Sequence, residues 1–186
     1  MKKTILVAAL ESEYFVEDGL MQNLYYTGIG KINSSRMVTQ LIIQEKPQLI
    51  INLGTAGCLQ EELLGGVYAI RDVVERDMMA EPLSPRGEVP FSEQPTIYTS
   101  TFGNLRCGTG DSFVTAQDPW LFENNINLVD MELFAIAKIS HHYGVEWRSI
   151  KFASDMANEE AGKHWNESVR TAKVKIGEVL QSALDF

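Results

Sequence analysis

Two uninterrupted apolar runs, Thr4 to Leu10 (TILVAAL) and Gln48 to Leu53 (QLIINL), most narrow what this chain can fold into. A strand with one wet face alternates apolar and polar residues, whereas a run without alternation belongs to a strand covered on both faces. Between the two runs, residues from about Ile32 to Gln44 keep a helical spacing, with Ile32, Ser35, Val38 or Thr39, and Ile42 on one face. Pro47 ends that pattern. Strand, helix, strand is the unit from which parallel sheets are wound. Leu24 to Thr27, Val67 to Val74, Leu105 to Gly110, Ile126 to Val129 and Ser149 to Ala153 read as further strands. The terminal segment carries Trp165, Val169, Ala172, Ile176, Val179 and Ala183 as a core-facing helical stripe. No repeat, low-complexity tract or linker divides the 186 residues. The expected fold is α/β: one domain over residues 1–186, three layers α/β/α, with a central mixed, mainly parallel sheet.

Composition removes several classes of function. The 16 Lys and Arg against 25 Asp and Glu give a net charge of −9, unlike the clustered basic surfaces that track nucleic-acid phosphates. No apolar run approaches the ~20 residues that a membrane span needs. The start MKKTILVAALESE turns acidic too early for a signal peptide. Cys58 and Cys107 lie in no metal or redox pattern, and His141, His142 and His164 lack ligand spacing. The expectation is a cytoplasmic protein with packed thiols, no metal, no cofactor, and neither nucleic acid nor membrane as partner.

In wound sheets, ligands gather beyond the carboxyl ends of the strands. The first strand runs into Glu11-Ser12-Glu13, the second into Gly28-Ile29-Gly30, the third into Gly54-Thr55-Ala56-Gly57, and the last into Ser154-Asp155. The stretch LVDMELFAIA sets Asp130 and Glu132 at a helix start. Each feature has a plain structural alternative: turn glycines, an N-cap aspartate, acids at the positive end of a helix dipole. Their shared placement directly after apolar strands favours a site. GIGK lacks the P-loop frame, and GTGDS lacks GxGxxG. Residues 76–96 hold four of the six prolines and form an irregular stretch longer than an ordinary connection.

Taken in order, ALESE, GIGK, NLGTAG, TGDSF, VDMELFAIA and FASD resemble the nucleoside phosphorylase and nucleosidase superfamily. They look most like its methylthioadenosine/S-adenosylhomocysteine nucleosidase branch. The resemblance implies a purine nucleosidase that hydrolyses the N-glycosidic bond of an adenosine-type nucleoside. Carried over residue by residue, it makes Glu13 the activator of the attacking water and Asp155 the acid that protonates N7 of the departing purine. Glu132 matches the ligand of the ribose hydroxyls, with Met131 against the sugar. Phe113 matches the ring stacked on the base, and Val114 the backbone offered to the base edge. Thr55, Ala56 and Gly57 match the loop under sugar and water, Leu10 an apolar wall, and Ser154 a further substrate-binding position. The resemblance also implies a homodimer in which residues 76–96 close the neighbouring subunit's site.

The residue types suit that chemistry. Bond cleavage builds positive charge on ribose and negative charge on the base, so the acid at the base must be protonated while Glu132 and Glu13 are ionised. An acidic ALESE where a phosphorylase holds phosphate repels a dianion, which favours water as nucleophile. Arg36 faces solvent on the helical pattern. The alternatives are a phosphate-dependent phosphorylase and a nucleoside-binding protein without turnover. The chain is shorter than usual for the family between Glu13 and Gly28 and between residues 90 and 107.

Overall fold

The computed structural model describes residues 2–14, 23–158, 168, 171–180 and 183. Its strands are β1 (Thr4–Ala8), β2 (Leu24–Tyr26), β3 (Leu49–Cys58), β4 (Val67–Glu75), β5 (Ile97–Thr99), β6 (Leu105–Thr109), β7 (Leu128–Asp130) and β8 (Glu146–Met156). The helices are α1 (Lys31–Glu45), α2 (Pro119–Glu123), α3 (Leu133–His142) and α4 over residues 171–180. All eight strands share one sheet in the order β2-β1-β3-β7-β6-β4-β5, and β8 pairs with both β3 and β4. The path β3-β7-β6-β4-β8 therefore returns to its start, and five of the eight strands form a closed ring.

Pairing is parallel for β1–β2, β1–β3, β3–β8, β4–β6 and β6–β7, and antiparallel for β3–β7, β4–β5 and β4–β8. The mixed, mainly parallel sheet is as the apolar runs predict. β1 shows why they lack alternation. Ile5 and Val7 pack with Val38, Leu41 and Ile42 of α1 and Ile136 of α3. Leu6 and Ala8 pack on the opposite face with Ala172, Ile176 and Leu180 of α4. Each of the buried valines, leucines and isoleucines among them contributes on the order of 1.5–3 kcal/mol. A third cluster, with Ile70, Val73, Cys107, Leu128 and Phe134, belongs to the curled half of the sheet.

Several expectations need correction. The buried face of α1 is Ser34, Val38, Leu41 and Ile42, whereas Ile32 is 81% exposed, because at about 3.6 residues per turn it lies across the helix from Ser34. Gly54-Thr55-Ala56-Gly57 is no turn: it lies inside β3. Ser154-Asp155 likewise lies inside β8. The two strands pair from Leu49↔Glu146 to Cys58↔Met156, with one register irregularity between Ala56 and Gly57. A neighbour so continuous keeps glycine extended. β5 and α2 are short elements without a periodic signature of their own. Ala172, Ile176 and Ala183 are buried as expected, while Trp165 and Val169 lie outside the described residues. Residues 76–96 contain neither helix nor strand. Of the two shortened regions, the second holds only β5 ahead of β6, and most of the first lies outside the described residues.

Candidate active site

After β1 the chain turns, with the Glu13 N–H donating to Leu10 O at 3.1 Å, and this folds the Glu13 side chain back over β3. Its Oε2 accepts the Leu10 N–H at 3.2 Å, and its Oε1 accepts the Thr55 N–H at 3.0 Å and the Thr55 hydroxyl at 2.6 Å. Both carboxylate oxygens are thereby held, in a residue 6% exposed.

Asp155 stands near the end of β8 and is buried. Its Oδ2 accepts the Ser154 hydroxyl at 2.7 Å, and the Cys58 thiol donates to its backbone carbonyl at 3.3 Å. Gly57 leaves room beside it, since a Cβ there would lie 3.0 Å from Asp155 Oδ1.

Asp130 and Glu132, one residue apart, have separate environments. Asp130 Oδ2 accepts the Leu133 N–H at 2.9 Å, which caps α3, and pairs with Lys151 Nζ at 2.8 Å. Its Oδ1 accepts the Thr109 hydroxyl at 2.5 Å. Burial alone would raise the Asp130 carboxyl, but Lys151 and these hydrogen bonds outweigh it and hold it below the ordinary value. Glu132 Oε1 accepts the Gly30 N–H at 2.9 Å, at the positive end of α1. Burial, with Asp130 adding to it, pushes the Glu132 carboxyl up to about 7 against the opposing pull of Lys151 and the Gly30 N–H.

Leu10, Glu13, Thr55, Ala56, Gly57, Phe113, Val114, Met131, Glu132, Ser154 and Asp155 all line one cavity of about 410 Å³. Sequence reasoning named each of them. They come from five places along the chain: the turn after β1, the second half of β3, the turn after β6, the β7–α3 junction and the end of β8. Phe113 is 54% exposed at the rim, whereas Glu13, Glu132 and Asp155 are all buried.

A family model, described as Phosphorylase superfamily, matches residues 13–185. The chain belongs to the phosphorylase superfamily. A 5'-methylthioadenosine/S-adenosylhomocysteine nucleosidase of Listeria innocua is 30% identical over 179 residues, covering 80% of this chain and 75% of that protein. The S-adenosylhomocysteine nucleosidase of Streptococcus pyogenes, solved with 5-methylthiotubericidin, superposes with a TM-score of 0.84 at 24% identity, over 98% of this chain and 96% of that one. The futalosine hydrolase of Helicobacter pylori has a TM-score of 0.86 at 20% identity, over 99% and 97% of the two chains. At these identities the solved structures speak for the fold.

This superfamily member also carries two buried cations that sequence reasoning missed, one lining the cavity and one behind it. Arg76 follows β4 directly, is 5% exposed and lines the cavity. Its Nη1 donates to the Ser112 hydroxyl at 3.3 Å, and its Nη2 donates to Gly110 O at 3.0 Å and to Ser112 O. The strand-end rule that found the acids would have found Arg76 too. Lys151 is 1% exposed and sits behind Gly54, where a Cβ would lie 3.4 Å from Glu13 Oε1 and 3.6 Å from Lys151 Nζ. Burial disfavours its charge, yet Asp130 and Glu132 hold the ammonium above its ordinary value. A lone lysine inside an apolar strand is the signal for such a partner, because unpaired charges are almost never fully buried. Arg36 is exposed, as its place on α1 predicts.

Proposed function

We propose that this chain is a purine nucleosidase, hydrolysing the N-glycosidic bond of an adenosine-type nucleoside, methylthioadenosine or S-adenosylhomocysteine, to adenine and the ribose moiety. The observation that carries this reading is the meeting of Glu13, Glu132 and Asp155 at one cavity, each with its own set of partners. Glu13 takes a proton from water as its oxygen bonds to C1′. The C1′–N9 bond breaks with its electrons on the purine, and Asp155 gives a proton to N7. Such acid catalysis is worth on the order of 10²–10⁴-fold. Glu132 accepts the ribose hydroxyls and counters the positive charge that develops on the sugar. Phe113 stacks on the base, Val114 meets its edge, Met131 packs on the sugar, and Leu10 with Thr55, Ala56 and Gly57 completes the floor.

Water suits this cavity better than phosphate. The fixed Glu13 carboxylate stands beside the attacking position, Arg36 is exposed, and the Arg76 terminal nitrogens are engaged by Gly110 and Ser112. The same reading makes the protein a cytoplasmic homodimer with residues 76–96 near the partner's site; both buried cysteines are free thiols, which suits a reducing compartment.

The test is chromatographic detection of adenine from methylthioadenosine, S-adenosylhomocysteine and adenosine, with and without phosphate. Release at the same rate without phosphate is expected. Release that depends on phosphate would make it a phosphorylase, and adenine binding without release would make it a binding protein.

A further inference from the structure

Beside the cavity lies a ring of three charged residues that the reaction does not use. The Lys31 N–H donates to Asp111 Oδ1 at 2.8 Å, and the Asp111 N–H donates to Asp77 Oδ2 at 2.8 Å. Lys31 Nζ closes the ring on Asp77 Oδ1 at 2.6 Å and also meets Glu75 Oε1 at 2.7 Å. The ring joins three separate segments: the first residue of α1, the stretch leaving β4, and the turn that leads to Phe113. It adjoins Gly30, whose N–H holds Glu132 at 2.9 Å. Gly30 has φ +91°, and a Cβ on it would lie 3.0 Å from Asp111 Oδ1, so Asp111 closes over the very turn that presents this N–H.

We infer that the Lys31–Asp77–Asp111 ring positions Glu132 and thereby sets the enzyme's preference for ribose over deoxyribose. The inference rests on Glu132 being the ribose ligand. A carboxylate selects a hydroxyl only if its rotation is fixed to within about half an ångström of the productive geometry. Glu132 is anchored through one backbone N–H, and that N–H is as well placed as the first turn of α1. The start of α1 has no acid in its first turn and no side-chain cap from Gly30, and the one local side-chain tie, Asn33 Nδ2 donating to Ile29 O at 2.7 Å, leaves the Gly30 and Lys31 N–H groups to acceptors from elsewhere. Asp111 and Glu132 supply the acceptors from other segments, and the Lys31 ammonium ties the start of α1 to Glu75 of β4 and to Asp77 just beyond it. Loss of the Lys31 or Asp111 side chain loosens the ribose end, while the Asp77 carboxylate still accepts the Asp111 N–H and holds the turn that leads to Phe113 at the base end.

The test compares kcat/KM for the ribo- and 2′-deoxyribo forms of one adenine nucleoside, with free adenine as competitive inhibitor. Lys31→Met and Asp111→Ala are expected to lower the ribo-to-deoxy ratio about tenfold, the scale of one charged hydrogen bond. Adenine inhibition, which involves no ribose, should stay within about twofold of the parent. Lys31→Arg, which keeps the ammonium's charge, should restore most of the ratio. Asp111 is exposed, so its variant tests the ring without threatening the core. The inference is overturned if both variants keep the parent ratio while Glu132→Gln collapses it. If Glu132→Gln leaves the ratio unchanged, the ribose assignment itself fails and the inference falls with it.

Discussion

Asp155 and Glu132 are both buried carboxyls, yet their neighbours ask different things of them. Asp155 has the Ser154 hydroxyl on one oxygen and the space over Gly57 beside the other. Asp155→Asn keeps that shape and removes the proton that the proposed mechanism gives to N7. Adenine release should fall by about 10²–10⁴-fold, with the thermal midpoint nearly unmoved. Calorimetry beside the chromatographic assay checks both halves. Glu132 carries the pH dependence. Its folded value of about 7 stands above the ordinary 4.5, so as pH rises the unfolded chain ionises first and the fold loses stability between those two values. In the folded state the Glu132 anion, the form its proposed role as ribose ligand requires, appears as pH passes through about 7. The value of kcat/KM should therefore climb with pH through about 7, and Glu132→Gln should flatten that limb. A rise that survives in the Gln variant would assign the limb to another group.

At the scale of elements, the site depends on how β3 and β8 lie together. The register irregularity between Ala56 and Gly57 brings Gly57 opposite Asp155. A Cβ on Gly57 would meet Asp155 Oδ1 at 3.0 Å, Val129 Cγ2 at 3.2 Å and Ala157 Cβ at 3.3 Å. Gly57→Ala must move at least one of them, so it should reduce kcat at least about tenfold while costing roughly 1–3 kcal/mol of stability, the range for overpacking. Denaturant melts together with kcat measure the two effects separately.

Much of this element-level arrangement was legible from residue order, because apolar runs mark strands and the residues after them mark one edge of the sheet. Glu13 and Glu132 were found that way. Asp155 was found too, although it sits inside β8 and not beyond it. What stayed hidden is what no local period encodes. Arg76 and Lys151 take their roles from partners on other strands, Gly110 and Ser112 for one and Asp130 for the other. The outward place of Ile32 depends on which face of α1 meets the sheet, a choice between Ser34 and Ser35 that spacing alone does not fix.

On the scale of the whole molecule, residues 76–96 are the most unusual segment. Met79, Leu83 and Phe91 are 62%, 68% and 94% exposed, although nothing about a loop surface favours large apolar side chains. The segment is nonetheless held: the Arg86 Nε donates to Arg76 O at 2.6 Å, its other nitrogens bind Asp118 at 3.0 and 2.7 Å, and its guanidinium stacks 4.5 Å from the Trp120 ring centre. Such a display suits the dimer proposed above. Phe91→Asp should shift the protein towards monomer in analytical ultracentrifugation, with a parallel loss of activity if the partner's loop completes the site.

The ring closed by β8 has a consequence for the order in which this chain acquires its activity. Ser149 bonds Asn52 across 97 residues of sequence, and Asp155 reaches its place over Gly57 through the same late pairing. Contacts so distant along the chain are slow to form, since the loop between them must be closed before they bring any gain. Asp155 therefore joins Glu13 and Glu132 at the cavity only once this strand ring is shut. With Asp155 in the role proposed above, no stretch of chain shorter than that through Met156 carries the full set of acids, and activity in a refolding sample cannot precede the closing of the sheet.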